Sequence, residues 1–187
     1  MRIVAGTARG RTLLGPKSLK IRPTADRVRE SIFNILGQSM DGRVVLDLYA
    51  GTGALSFEAL SRGAQRAVLV DADREAVRLC LANAVALGFD RRISVLPMPV
   101  DRALAKLRRE QQRFDLVFAD PPYGRGLALG AIKEVAEGSL LAPEGILCVE
   151  HHKRDLLPEQ LKILKRVDSR RFGDTAVSFY QTSLTGS

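Results

Sequence analysis

The chain has 187 residues, 45% hydrophobic and 27% charged, enough for one domain with a real core and ordinary for a soluble globular protein. Its formal net charge of +8 favours a polyanionic partner, nucleic acid first and an anionic membrane second. No apolar run reaches membrane-spanning length and no signal-peptide pattern opens the chain, while Cys80 and Cys148 read as buried hydrophobes in a reducing compartment, so a cytoplasmic location is expected.

Met1 to Leu14 alternates short β-prone runs with Gly6 and Gly10, which predicts a two-stranded hairpin carrying Arg2, Arg9 and Arg11. Lys17, Lys20 and Arg22 follow in a loop. Such charges can be a solvated face, but their density at one end suits a nucleic-acid arm at least as well. A helix then runs to Gly37, with Thr24 as its N-cap and Asp26 in its first turn. Val28, Ile32, Ile35 and Leu36 give it one buried stripe, with Arg27, Arg29 and Glu30 off that stripe. Residues 1–37 read as a basic extension packed on a core of residues 38–187.

The core opens on a strand, Val44 to Leu48, then a turn, Tyr49-Ala50-Gly51-Thr52-Gly53, then a helix from Ala54. The glycines let the backbone approach a ligand, and the helix N-terminus offers free N–H groups. Ser56 stands where a dinucleotide fingerprint wants its third glycine, and no Walker-type lysine follows. Asp47, before the turn, would repel phosphate and suits a ligand with an ammonium group. A second strand, Ala67 to Val70, ends in Asp71 and Ala72. An acid at that position can accept hydrogen bonds from a ribose diol, and Asp73 is left to cap the next helix. That helix runs to Leu87 with Ala76, Cys80, Leu81 and Ala84 inward. Ile93 to Leu96 is a third strand, and Pro97 to Asp101 the loop after it.

The fourth strand leads into the most informative stretch, Phe114 to Gly124. Leu116 to Ala119 is short and apolar, as in a strand buried on both faces. It breaks into Asp120-Pro121-Pro122-Tyr123, because prolines cannot extend a central ladder. A carboxylate, rigid carbonyls and an aromatic ring thus stand at a strand's carboxyl end, where open α/β sheets bind ligands. An amine conjugated to a nucleobase ring is a poor nucleophile. A side-chain oxygen and a proline carbonyl can accept its two N–H bonds and favour lone-pair localisation, while the tyrosine offers a face for a flipped base. A helix, Leu127 to Glu137, and a fifth strand, Gly145 to Glu150, come next. His151 and His152 lack metal-ligand spacing and read as polar loop residues, so no metal is expected. Leu161 to Leu184 reads as two long strands around Gly173-Asp174. The whole predicts a doubly wound α/β sheet of about seven strands, mostly parallel, with a C-terminal antiparallel hairpin.

The sequence resembles the class I S-adenosylmethionine-dependent methyltransferases, and more narrowly the bacterial family (RsmD-type) that methylates a guanine N2 of 16S ribosomal RNA. The resemblance runs from Arg2 to about Tyr180. It rests on Arg2 to Gly6 with Arg9-Gly10-Arg11, the string Arg22 to Glu30, the Asp47 to Gly53 loop, Asp120 to Tyr123, and Gly173-Asp174-Thr175. It implies that Asp47 and the Tyr49 to Gly53 loop hold the methionine part of S-adenosylmethionine, that Asp71 and Ala72 lie at the ribose, and that the loop after the third strand takes the adenine. The family often has an acid where Pro99 stands, which leaves the Val100 N–H and Asp101 for that contact. It also implies that Asp120 and the Pro121 carbonyl orient the amine, that Pro122 completes the turn, and that Tyr123 stacks on the base. Arg2, Arg9, Arg11, Lys17, Arg22, Thr24 and Arg27 become the residues expected to meet RNA, with Arg22, Thr24 and Arg27 equally placed to face the cofactor. The implied partner is 16S ribosomal RNA, naked or within the assembled small subunit, and a monomer is expected. Rival readings are a DNA adenine-N6 or cytosine methylase, for which 187 residues leave no room for a target-recognition insert, and a non-catalytic nucleic-acid-binding module on the same scaffold.

Overall fold

The computed structural model describes residues 1–16, 23–124 and 126–182, with backbone alone at Pro23, Thr24 and Ala25. Lys17, Lys20 and Arg22 therefore lie outside the described residues. The strands are β1 (Val44–Leu48), β2 (Arg66–Asp71), β3 (Ile93–Pro97), β4 (Phe114–Ala119), β5 (Leu141–His152), β6 (Gln160–Leu161), β7 (Leu164–Phe172) and β8 (Thr175–Thr182). The helices are α1 (Pro23–Leu36), α2 (Ala54–Ser61), α3 (Arg74–Leu87), α4 (Val100–Arg109) and α5 (Leu127–Glu137).

One sheet has the order β3-β2-β1-β4-β5-β8-β7-β6. β3 through β5 run parallel, and β8 inserts antiparallel beside β5. The chain lays down β1, β2 and β3 in one direction, then returns to place β4 on the other side of β1. The carboxyl ends of β1 and β4 therefore flank the point where the winding reverses, the usual ligand crevice of such sheets.

Strand alternation sends odd and even residues to opposite faces. Val45, Leu116 and Phe118 pack with Ile3, Leu13, Phe33 and Phe57 beneath the N-terminal segment, α1, α2 and α3. Leu46, Leu48 and Val117 pack with Leu104, Ile132 and Val135 beneath α4 and α5. Asp47 shares the parity of Val45, so it faces α2.

Several sequence expectations change. The sheet has eight strands rather than seven, because two residues of the chain before β7 pair with it as β6. The N-terminal hairpin reduces to one isolated bridge, Arg2 to Thr12, with a few further backbone bonds such as Ile3 N–H to the Arg11 carbonyl at 3.0 Å. Its glycines turn the chain too often for a ladder to extend. Pro23 opens α1, so Thr24 lies inside the helix rather than capping it; proline suits a first helical position. α4 begins at Val100 with Pro99 as its cap residue, so Val100 and Asp101 form a helical first turn instead of a loop. Leu81 is 50% exposed, and Leu79 and Asn83 take the inner face of α3 beside Cys80 and Ala84. His151 and His152 end β5, and the buried His151 ring pairs with Ser178 Oγ at 2.9 Å.

Candidate active site

The turn after β1 is tight. Tyr49 has a φ of 64°, Gly51 56° and Gly53 78°. A Cβ on Gly53 would stand 2.5 Å from the Phe57 ring, so close helix packing requires glycine there. At Gly51 a Cβ would meet nothing, because that position opens onto a cavity.

The cavity holds about 320 Å³ and is lined by Asp47, Tyr49, Ala50, Gly51, Thr52, Asp73, Glu75 and Asp120, with Met1 and Pro16 closing one side. That volume lies in the range of small-molecule sites. Of the residues expected at a cofactor, the cavity gathers Asp47 and Tyr49 to Thr52. Gly53, Asp71, Ala72, Val100 and Asp101 are not part of its wall. Asp73, read from the sequence as a helix cap, is, and so is Glu75, for which the sequence suggested no role.

Asp71 stands behind the turn. Its two carboxylate oxygens accept the Gly51 N–H and the Asp73 N–H, each at 2.9 Å. Asp73 in turn accepts the Ala76 N–H at 2.9 Å and caps α3. The two acids at the end of β2 thus fix the loop and the helix that border the cavity. Asp47 is 2% exposed and accepts the Ser56 hydroxyl at 2.8 Å. Burial pushes its pKa up to about 7, against the lowering effect of Ser56. The serine standing where a dinucleotide site would carry glycine is therefore the partner of this acid.

The other side of the cavity is the end of β4. The Asp120 N–H reaches the Leu48 carbonyl at 3.4 Å, which ties the Asp-Pro-Pro-Tyr turn to the end of β1. Asp120 is exposed at the rim, but protein packs around its carboxyl group, and that desolvation, followed by the carboxylates of Glu150 and Asp47, raises its pKa above the usual range. Pro121 is buried, and Tyr123 is 49% exposed. The Tyr123 hydroxyl donates to Glu150 Oε1 at 3.1 Å and shares a hydrogen bond with Thr175 Oγ1. Its ring meets the edge of His152, with centroids 6.0 Å apart. Glu150, from β5, was invisible as a site residue in the sequence because it ends an ordinary apolar run. Burial raises its pKa, against the lowering effect of the Tyr123 bond.

The N-terminal segment is bolted to the core. Glu58, 0% exposed on α2, accepts the Val4 N–H at 2.8 Å, the Ala5 N–H at 3.0 Å and Arg62 Nε at 2.9 Å. Arg29, off the apolar stripe of α1, is 3% exposed and so faces the protein rather than solvent. It donates to the Arg2 carbonyl at 2.6 Å, pairs with Asp26 at 3.1 Å and approaches Glu58 at 3.6 Å. Asn83, buried on α3, donates to the Thr52 and Leu14 carbonyls at 3.0 Å each and accepts the Leu14 N–H at 2.7 Å. It therefore couples this segment to the glycine turn. Arg2, Arg9, Arg11 and Arg27 are exposed, and Arg11 also donates to the Ala86 carbonyl. Among the described residues no helix is long and apolar enough to cross a membrane, and no group of three His, Cys, Asp or Glu side chains could hold a metal ion.

A doubly wound sheet with an acid-lined cavity at its winding reversal, opening on an Asp-Pro-Pro-Tyr turn, is the architecture of the Rossmann-like methyltransferases. The family described as Conserved hypothetical protein 95 matches residues 1–181. Ribosomal RNA small subunit methyltransferase D of Escherichia coli is 34% identical, over 100% of this chain and 92% of that protein. The protein of the same name in Haemophilus influenzae is 35% identical, over 88% of this chain and 86% of its own length. The chain belongs to this family, the RsmD family read in its sequence motifs. Among solved structures, one from Escherichia coli has a TM-score of 0.85 at 34% identity and covers 98% of both chains. One from Thermus thermophilus has a TM-score of 0.80 at 34% identity, covering 96% of this chain and 98% of that one. A more distant methyltransferase fold, complexed with SAH, has a TM-score of 0.70 at 19% identity, with 87% of this chain on 50% of that one, and shares the fold alone.

Proposed function

We propose that this chain transfers a methyl group from S-adenosylmethionine to the exocyclic N2 amine of a guanine in 16S ribosomal RNA of the small subunit. The observation that carries the reading is the position of Asp120, an acid on the wall of a cavity otherwise built by the glycine turn, Asp47, Asp73 and Glu75. That donor and acceptor set fits a cofactor with an ammonium group and ribose hydroxyls. It is hostile to a pyrophosphate, which would meet the four acids Asp47, Asp73, Glu75 and Asp120 and, among the described residues, no Lys or Arg in the wall. Asp47 and the backbone of Tyr49 to Gly53 would hold the methionine part. Asp71 retains a second lone pair on each oxygen for ribose hydroxyls, and Asp73 and Glu75 supply further acceptors on the same side. The α4 first turn, with the Val100 N–H and Asp101, would meet the adenine. When bound, S-adenosylmethionine supplies an electrophilic methyl group on a sulfonium centre.

The work of the chain is positional. Asp120 accepts one N–H of the amine and the Pro121 carbonyl accepts the other, which turns the nitrogen lone pair toward the methyl group. Methyl transfer to that nitrogen, with the thioether of the spent cofactor as leaving group, would require the amine to shed a proton. Asp120, its pKa raised, is a competent acceptor for that proton and passes it to solvent at the rim. Tyr123 stacks on the flipped base, with its hydroxyl anchored by Glu150 and Thr175. The exposed Arg2, Arg9, Arg11 and Arg27, with Lys17, Arg22 and Thr24, would meet the RNA backbone around the target, as a basic extension of residues 1–37 on a core of residues 38–187.

The test is a map of methyl groups on ribosomal RNA from a strain lacking this gene, repeated after adding back the purified protein. One guanine should lose its N2 methyl group and regain it on complementation. An unchanged map, or a change at an adenine or cytosine, would overturn the reading.

A further inference from the structure

Beside the main cavity lies a recess of about 110 Å³, lined by Met1, Arg29, Ala54, Leu55, Asp120 and Glu150. The two spaces share Met1, Ala54, Leu55 and Asp120, so they adjoin. Asp120 therefore lines both spaces, and a second acid, Glu150, lines the recess alone. β4 and β5 are neighbours, with Ala119 opposite Val149, so the two carboxylates come from the next residue of adjacent strands. Glu150 Oε1 takes the Tyr123 hydroxyl at 3.1 Å. Among the described residues, Glu150 Oε2 and both oxygens of Asp120 accept no hydrogen bond. Arg29 contributes positive charge, but its guanidinium is engaged by the Arg2 carbonyl, Asp26 and Glu58. Two neighbouring acceptors thus stand together, with the Glu150 carboxylate raising the cost of ionising Asp120 and three of their four oxygens lacking a donor among the described residues.

We propose that Glu150 is a specificity-determining residue that accepts the N1–H of the target guanine while Asp120 accepts from N2. The inference rests on the guanine-N2 reading above. Guanine alone among the four bases presents an N1–H beside an exocyclic N2 amine, two adjacent donors that match two adjacent carboxylates. Adenine offers an acceptor at N1 and cytosine an acceptor at N3, and each would set a lone pair against the Glu150 carboxylate. The lining fits this assignment: Asp120, which would take N2, borders the main cavity as well, whereas Glu150, which would take N1, borders the recess alone. An acid whose pKa is raised by burial gains most from a neutral donor that stabilises its charged form.

The test uses RNA carrying guanine or 2-aminopurine at the position mapped above. 2-Aminopurine keeps the N2 amine but has a bare acceptor at N1. The wild-type protein should methylate guanine at least about tenfold faster than 2-aminopurine, since a site built for a donor rejects the analogue that lacks it. Glu150→Gln can donate its amide to that acceptor, so the guanine to 2-aminopurine ratio should fall by about tenfold or more. The fluorescence of 2-aminopurine gives a readout without turnover: Glu150→Gln should bind the analogue RNA more tightly than wild type does. Tyr123→Phe removes the hydroxyl that Glu150 holds; it should slow both substrates and leave the ratio in place. If the wild-type protein methylates both bases equally, or if Glu150→Gln leaves ratio and binding unchanged, the role of Glu150 is overturned while guanine methylation stands. If wild type methylates no guanine, the underlying reading fails instead.

Discussion

Removing the Glu58 carboxylate should detach the N-terminal segment and destabilise the whole chain. In the native structure this one wholly buried side chain serves the Val4 and Ala5 N–H groups and the Arg62 guanidinium, with Arg29 at 3.6 Å. Arg29 and Arg62 are themselves 3% and 7% exposed, so Glu58→Ala leaves two cations buried with their compensating charge gone. Arg62 keeps Gln38 Oε1 at 2.6 Å and the Phe33 ring at 4.7 Å, and Arg29 keeps Asp26, so the loss is partial. Breaking a buried ion pair from one side costs about 3–5 kcal/mol, and for a domain of this size each kcal/mol lowers Tm by about 2–4 °C. The expected loss is about 6–20 °C. Glu58→Gln keeps one oxygen for the backbone but turns an NH2 group on the other N–H, so it should recover only part of the loss. Urea titration gives the free energies, and amide exchange at Val4 and Ala5 reports the segment directly. If Glu58→Ala lies within about 1 kcal/mol of wild type, with Val4 and Ala5 still protected, the network is not what fastens the segment.

Asp71→Ala should weaken S-adenosylmethionine binding about 10- to 150-fold by calorimetry, since it removes a ribose acceptor and the brace of Gly51 together; equal affinities would remove Asp71 from the site. Asp120→Ala should lose turnover while keeping cofactor affinity, and Asp120→Asn should keep part of the rate; a fully active alanine variant would end its amine-orienting role. Because the Asp120 carboxylate is a stronger acceptor than the neutral acid and alone can take the amine proton, and because its pKa is raised, single-turnover rates should climb with pH. In Glu150→Gln one cause of the rise is gone and that limb should move to lower pH, whereas superimposable profiles would contradict the coupling. Arg9→Gln should flatten the salt dependence of RNA binding by about 0.7 in log–log slope if that exposed guanidinium meets a single-stranded phosphate; an unchanged slope would remove it from the contact.

The sheet was legible because its central strands are short apolar runs, each ended by an acid, a glycine turn or prolines. Such runs read as strands buried on both faces, as β1, β2 and β4 largely are, while β3 lies at the sheet edge with none of its residues fully buried. The Asp120 to Tyr123 turn was legible for the same reason, since prolines end a ladder whatever surrounds it. Glu150 and Glu58 were not legible. Each is a single acid in an otherwise apolar stretch, and only the neighbouring strand or the N-terminal segment gives it a partner. Arg29 likewise read as an off-stripe charge, because helical periodicity counts apolar residues and cannot see a buried counter-charge on another helix. Asp73 read as a helix cap, and it is one; that Asp73 and Glu75 also line a cavity depends on where α3 sits across from the glycine turn.

The bolting of the N-terminal segment sets a schedule for synthesis. Val4 binds a residue 54 positions later, and Leu14 binds Asn83, 69 positions later. At about 5–20 residues per second, the segment waits roughly 3–11 s after emerging before Glu58 exists to receive it. Ile3, Ala8 and Leu13 spend that interval uncovered, although all three end in the core. Closing loops of this length costs entropy before any contact repays it. A nascent chain therefore carries its basic, sticky leading end in the open while β1 and α2 are still being made, and the wall formed by Met1 and Pro16 is among the last parts of the cavity to arrive.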